Sequence, residues 1–120
     1  MKVFDSIKDT ILGKKYELSV AYLSPTQQKK LNKKYRNIDK TTNVLSFSYS
    51  KTSGELTFDL VKVKKDAPLF EMSYSRFLQY LFIHGCLHLK GYEHSATMEK
   101  EEQKFLKKFS SWQHTNIPAV

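Results

Sequence analysis

Cysteine is nearly absent from this chain. Cys86 stands alone among 120 residues, so no intrachain disulfide can staple the fold. No apolar run approaches the length of a membrane span, and the start MKVFDSIKDT lacks a signal peptide's apolar stretch. The reading that follows is a soluble cytoplasmic protein with no membrane partner. Internal repeats, linkers and low-complexity segments are also missing, which leaves one domain over 1–120 with a loose tail at 113–120. Acidic residues are scarce, 12 against 20 lysines and arginines, for a formal charge of +8. That balance suits a polyanion, with nucleic acid the leading candidate. Lys29, Lys30, Lys33, Lys34, Arg36 and Lys40 concentrate it, although a solvated helix face reads the same way.

Histidine is also scarce, but it is clustered. Three of the four histidines fall within HGCLHLKGYEH, from His84 to His94. Positions four apart share one face of a helix, so His84 and His88 can offer two imidazoles to one ion. Gly91 supplies the left-handed residue that ends a helix and turns the chain, and the reversal can return His94 as a third ligand. At about 100° per residue, Phe77, Leu81, His84 and His88 occupy an arc of roughly 60°. The histidines thus finish an apolar stripe, a costly place for imidazoles without a partner. Three protein ligands with a fourth position open is the arrangement of a catalytic zinc, one per chain. The spacing H-x3-H-x5-H overlaps the metzincin pattern, glycine included, but the protease's general-base glutamate is Gly85 here. Peptidase chemistry is therefore not expected. Cys86 lies about 200° round the helix from His84 and reads as a core thiol.

Periodicity and caps predict the remaining elements. A short amphipathic helix is expected at 3–12 and a strand at 16–23. Ser24, Pro25 and Gln27 mark the start of a second helix, buried through Leu31, Tyr35 and Ile38. Residues 43–49 and 55–63 read as a hairpin. A long central helix covers 73–90, with Gln79 and Lys90 on its polar strip. A last helix spans about 95–109, with Met98, Phe105, Phe109 and Trp112 on one face. His114 reads as a solvated tail residue. The fold class is α+β, a small mixed β-sheet packed against helices with the metal-binding helix central.

A second block, LNKKYRNIDKTTNVLSFSY from Leu31 to Tyr49, stands apart from the histidines. Together with Gly54-Glu55-Leu56 and the histidine segment, it resembles the YbeY family of bacterial rRNA maturation factors, from about Ser24 to Phe109. The departures are Glu93 before the third histidine, Glu55-Leu56 after Gly54, and Thr41 and Ser48 at positions where proline is common. The resemblance implies a zinc-dependent, single-strand-specific endoribonuclease acting in ribosomal RNA maturation and ribosome quality control. It implies zinc on His84, His88 and His94, a functional arginine at Arg36, and as partners ribosomal RNA precursors and the ribosome or its small subunit, with no DNA expected. On that reading Arg36 stabilises the charge that develops on the phosphoryl oxygens. Glu93 is a candidate general base or a carboxylate that orients an imidazole. Met98 reads as a core methionine, with a place beneath the metal as the alternative. The alternative function is a metal-stabilised ribosome-assembly or RNA-binding factor with little nuclease activity.

Overall fold

The computed structural model describes residues 2–110. Trp112, His114 and the tail from 113 therefore lie outside the described residues. The chain opens with α1 (Lys2–Leu12), β1 (Glu17–Tyr22), α2 (Pro25–Arg36), β2 (Val44–Ser50) and β3 (Ser53–Phe58). Then follow α3 (Leu60–Asp66), a 3-10 turn (Ala67–Phe70), α4 (Tyr74–Lys90) and α5 (Ala96–Lys108).

The three strands form a mixed sheet in the order β1-β3-β2. β1 runs parallel to β3, and β2 pairs with β3 antiparallel as a hairpin, with an irregularity between Ser48 and Ser50. The β2 strand is thus an edge, and α4 packs beside it.

Local chemistry explains most boundaries. Ser24 and Gln27 form a reciprocal capping box at the start of α2, with Pro25 in the first turn. Ser73 caps α4, and Gly91 at φ 114° closes it in the left-handed conformation that side chains resist. The core gathers α1, α4 and the inner sheet face. Phe82 stacks on Phe4 at 4.4 Å and on Phe58 at 6.2 Å. Burying each such ring contributes about 1.5–3 kcal/mol. No helix among the described residues is long and apolar enough to cross a membrane.

Three expectations are corrected. The second half of the run expected as strand at 55–63 is helix α3, because Asp59 caps it by accepting from the Lys62 amide. Thr41, distant in sequence, donates its hydroxyl to the same carboxylate at 2.8 Å. Second, α2 does not bury Leu31, Tyr35 and Ile38. Its inward residues are Gln28 and Asn32, whose amides donate to the carbonyls of Thr57 at 3.0 Å and Lys40 at 2.8 Å. Leu31 and Ile38 are half-buried and Tyr35 is exposed. Third, Gln79 is buried rather than on a polar strip, where its side-chain oxygen accepts from Arg76 at 3.0 Å.

Candidate metal centre

His84 and His88 stand one turn apart on α4, and the chain reversal at Gly91 returns His94 to them. One ring nitrogen from each can be chosen so that all three lie within 4.8 Å of one another. The Nε2 atoms of His84 and His88 are 3.1 Å apart. Two nitrogens at about 2.05 Å from a tetrahedral zinc stand roughly 3.3 Å from each other, so the pair has a suitable separation.

The far side of each helix imidazole shows why the pair suits a cation. His88 Nδ1 lies 3.0 Å from the Tyr92 carbonyl oxygen, which can only accept, so Nδ1 carries the proton. His84 Nδ1 faces the carboxylate of Glu102 in a close hydrogen-bond contact, in which the carboxylate accepts. With both Nδ1 atoms protonated, neutral rings present two Nε2 lone pairs to the same point. Lone pairs at that distance repel unless a positive centre sits between them, and a metal ion fits this donor set. Burial, reinforced by the neighbouring His84, pushes the His88 imidazole below its ordinary value and favours the neutral, ligating form.

Glu102 escaped the sequence reading. It is buried on α5, and Tyr80 reaches its other oxygen at 3.5 Å. The signal was available: at about 100° per residue, Glu102 falls on the same stripe as Met98, Phe105 and Phe109. A carboxylate on an apolar stripe calls for a buried partner. Glu93, which sequence proximity made the candidate, is exposed.

The histidines open onto a cleft of about 270 Å³ that Arg36, Ser46 and Gly85 also line. Arg36 is the last residue of α2, and the left-handed Asn37 (φ 56°) ends the helix beside the cleft. A helix and a strand distant from α4 in sequence thus bring a guanidinium and a strand edge to the imidazoles. Gly85 has a packing role besides. A Cβ there would lie 2.6 Å from a Leu56 methyl, so its hydrogen lets α4 settle on β3. Cys86 is buried in the core, where desolvation pushes its thiol well above the ordinary range, and Met98 is a buried core residue.

Fold and site together define an α+β protein with a three-histidine centre able to hold one metal ion. The comparisons give that class a family. A family model described as endoribonuclease YbeY matches residues 1–110. The endoribonuclease YbeY of Mycoplasmopsis synoviae is 39% identical over 105 residues, 79% of this chain and 68% of that protein. That of Neorickettsia sennetsu is 38% identical over 109 residues, 82% of this chain and 76% of that protein. The solution structure of TM1509 from Thermotoga maritima superposes with a TM-score of 0.67 at 26% identity, covering 96% of this chain and 87% of that one. The chain belongs to the YbeY family.

Proposed function

We propose that this protein is a zinc-dependent, single-strand-specific endoribonuclease that acts on ribosomal RNA precursors in the cytoplasm, in contact with the ribosome or its small subunit. One observation carries the reading: Arg36 and the three histidines line the same cleft. The family to which the chain belongs supplies the reaction class.

His84, His88 and His94 would hold the zinc, which supplies a Lewis acid for a phosphoryl oxygen or lowers the pKa of a water to about 7. Glu102 and the Tyr92 carbonyl orient two of the imidazoles through their Nδ1 protons. Cleavage forms a bond from phosphorus to water or to the substrate's own 2′-hydroxyl while the bond to the leaving oxygen breaks. Negative charge then builds on the non-bridging oxygens. The Arg36 guanidinium donates paired hydrogen bonds to them, a contribution of several kcal/mol where water is excluded. The surrounding lysines hold the rest of the strand by its phosphates.

A second reading, a metal-stabilised RNA-binding or ribosome-assembly factor, is favoured by one feature. Among the described residues, no carboxylate lines the cleft to serve as general base. Cleavage of a single-stranded RNA by stringently purified protein separates the two. Under the nuclease reading, Arg36→Ala lowers the rate by about 10²-fold or more, as loss of a transition-state donor does. Zinc content and fold persist, and RNA affinity falls less than rate. Arg36→Lys restores only part, because an ammonium lacks the planar fork. RNA binding with no metal-dependent cleavage would establish the second reading.

A further inference from the structure

The outer face of the sheet carries a second cleft that the reaction does not use. It has a volume of about 250 Å³ and is lined by Leu31, Tyr35, Phe47, Tyr49, Glu55 and Thr57 among others. Its aromatic content is high and open to solvent: Tyr35 is 58% exposed and Tyr49 64%. Tyr35 meets Phe47 edge-on, with ring centroids 5.2 Å apart. Tyr49 donates its hydroxyl to Glu55 at 2.5 Å. Within the cleft lining, the buried Thr57 hydroxyl has no hydrogen-bond partner among the described residues. Clustered exposed aromatic rings above a buried, unsatisfied hydroxyl are features that mark a binding surface more often than a bare one.

Position gives the cleft its meaning. Tyr35 and Arg36 are consecutive on α2, yet Tyr35 lines this cleft and Arg36 the histidine cleft. Along β2, Val44, Leu45 and Ser46 line the histidine cleft and Phe47 and Tyr49 the aromatic one, so the strand passes from one to the other between Ser46 and Phe47. The two clefts lie back to back across the β2 edge, one residue apart in the chain on both elements. Exposed Lys34 stands beside the aromatic cleft on α2, its ammonium 5.3 Å from the Tyr35 ring centre. Exposed Lys29 and Lys33 fall on the Arg36 side of the helix at about 100° per residue. Charge sorts the parts of an incoming strand. The Glu55 carboxylate repels phosphate from the aromatic cleft, whereas Lys34 beside Tyr35 and the lysines on the Arg36 side of α2 attract it to the helix. Aromatic rings beside a basic helix form a platform on which single strands can stack their bases.

We propose that this cleft is a nucleobase subsite, which takes one unstacked base of a single-stranded RNA whose cleaved phosphate lies beside Arg36. The inference rests on the nuclease reading and adds to it a physical source of single-strand selection. A base paired in a duplex cannot leave its stack to enter without breaking the pair.

The test is binding of a short fluorescein-labelled single-stranded oligoribonucleotide, followed by anisotropy, with a duplex of the same sequence in parallel. Tyr35→Ala and Tyr49→Ala should each weaken single-strand binding by about 10-fold or more, in line with the loss of one stacked base. Duplex affinity and zinc content should be unchanged. Both side chains are mostly exposed, so the fold is retained, and circular dichroism verifies it. Tyr35→Trp should restore affinity and Tyr35→Leu should not, which distinguishes stacking from plain apolar contact. Parent affinity in both alanine variants, or equal loss for single strand and duplex, would overturn the subsite. If Arg36-dependent cleavage survives alongside such a result, only the subsite fails. If the unaltered protein neither binds nor cleaves RNA, the nuclease reading fails with it.

Discussion

Removing the Glu102 carboxylate should loosen the metal centre without touching any ligand. The residue is 4% exposed and accepts from His84 Nδ1 in a close contact and from the Tyr80 hydroxyl in a longer one at 3.5 Å. Its carboxylate holds the His84 ring with Nε2 toward the cleft, and its charge makes that nitrogen a better donor to a cation. Loss of such a partner typically lowers metal affinity about 10- to 100-fold, or about 1.4–2.7 kcal/mol. Glu102→Gln keeps an acceptor of nearly the same shape and removes the charge, so it should sit at the lower end. Glu102→Ala removes the acceptor as well and leaves a void under α4, so it should reach the upper end and also lose stability. Zinc affinity measured by competition with a chromogenic chelator gives the first number. Urea unfolding of the metal-free proteins gives the second, because it separates a damaged core from a damaged site. Unchanged zinc affinity in Glu102→Ala, with the fold intact, would refute the argument that the carboxylate orients His84.

Further expectations concern α4. Metal analysis of the parent should find about one ion per chain, the double substitution His84→Ala, His88→Ala should abolish it, and full stoichiometry in the double variant would sink the site. Cys86→Ser should keep the metal, since the thiol points into the core. It should cost about 1–3 kcal/mol by chemical denaturation, because it buries a hydroxyl among apolar side chains. Gly85→Ala gains about 1 kcal/mol of helix propensity but presses a methyl into the buried Leu56. Overpacking of this kind costs about 1–3 kcal/mol. The melting temperature should not rise, and a clear increase would show that α4 and β3 have slack.

Much of this protein is legible in one dimension because its signals are local. The capping box at Ser24 and Gln27, the cap at Ser73 and the left-handed Gly91 each depend on residues within one or two turns. The pairing of His84 with His88 is equally local, since helical pitch alone puts them on one face. The places where the sequence misleads are those where a distant group satisfies a polar atom. Residues 60–63 have strand-like composition, but Thr41 and the Lys62 amide engage Asp59 and make it a helix cap. Gln28 and Asn32 point inward because backbone carbonyls at Thr57 and Lys40 wait for their amides, a fact no periodicity records.

The same division runs through the site. Sequence alone determined the imidazole pair, the turn that follows it, the absent carboxylate at position 85 and the excess of positive charge. Only the tertiary structure decided that Glu102, 18 residues from His84, is the carboxylate on its ring, while the adjacent-looking Glu93 faces solvent. Only the packing of β2 beside α4, with the end of α2 at the same cleft, brings Arg36 to the histidines. Helical pitch fixes neighbours within a few residues, whereas a buried charge finds its partner through the packing of whole elements. That packing depends on the summed burial of faces far apart in the chain.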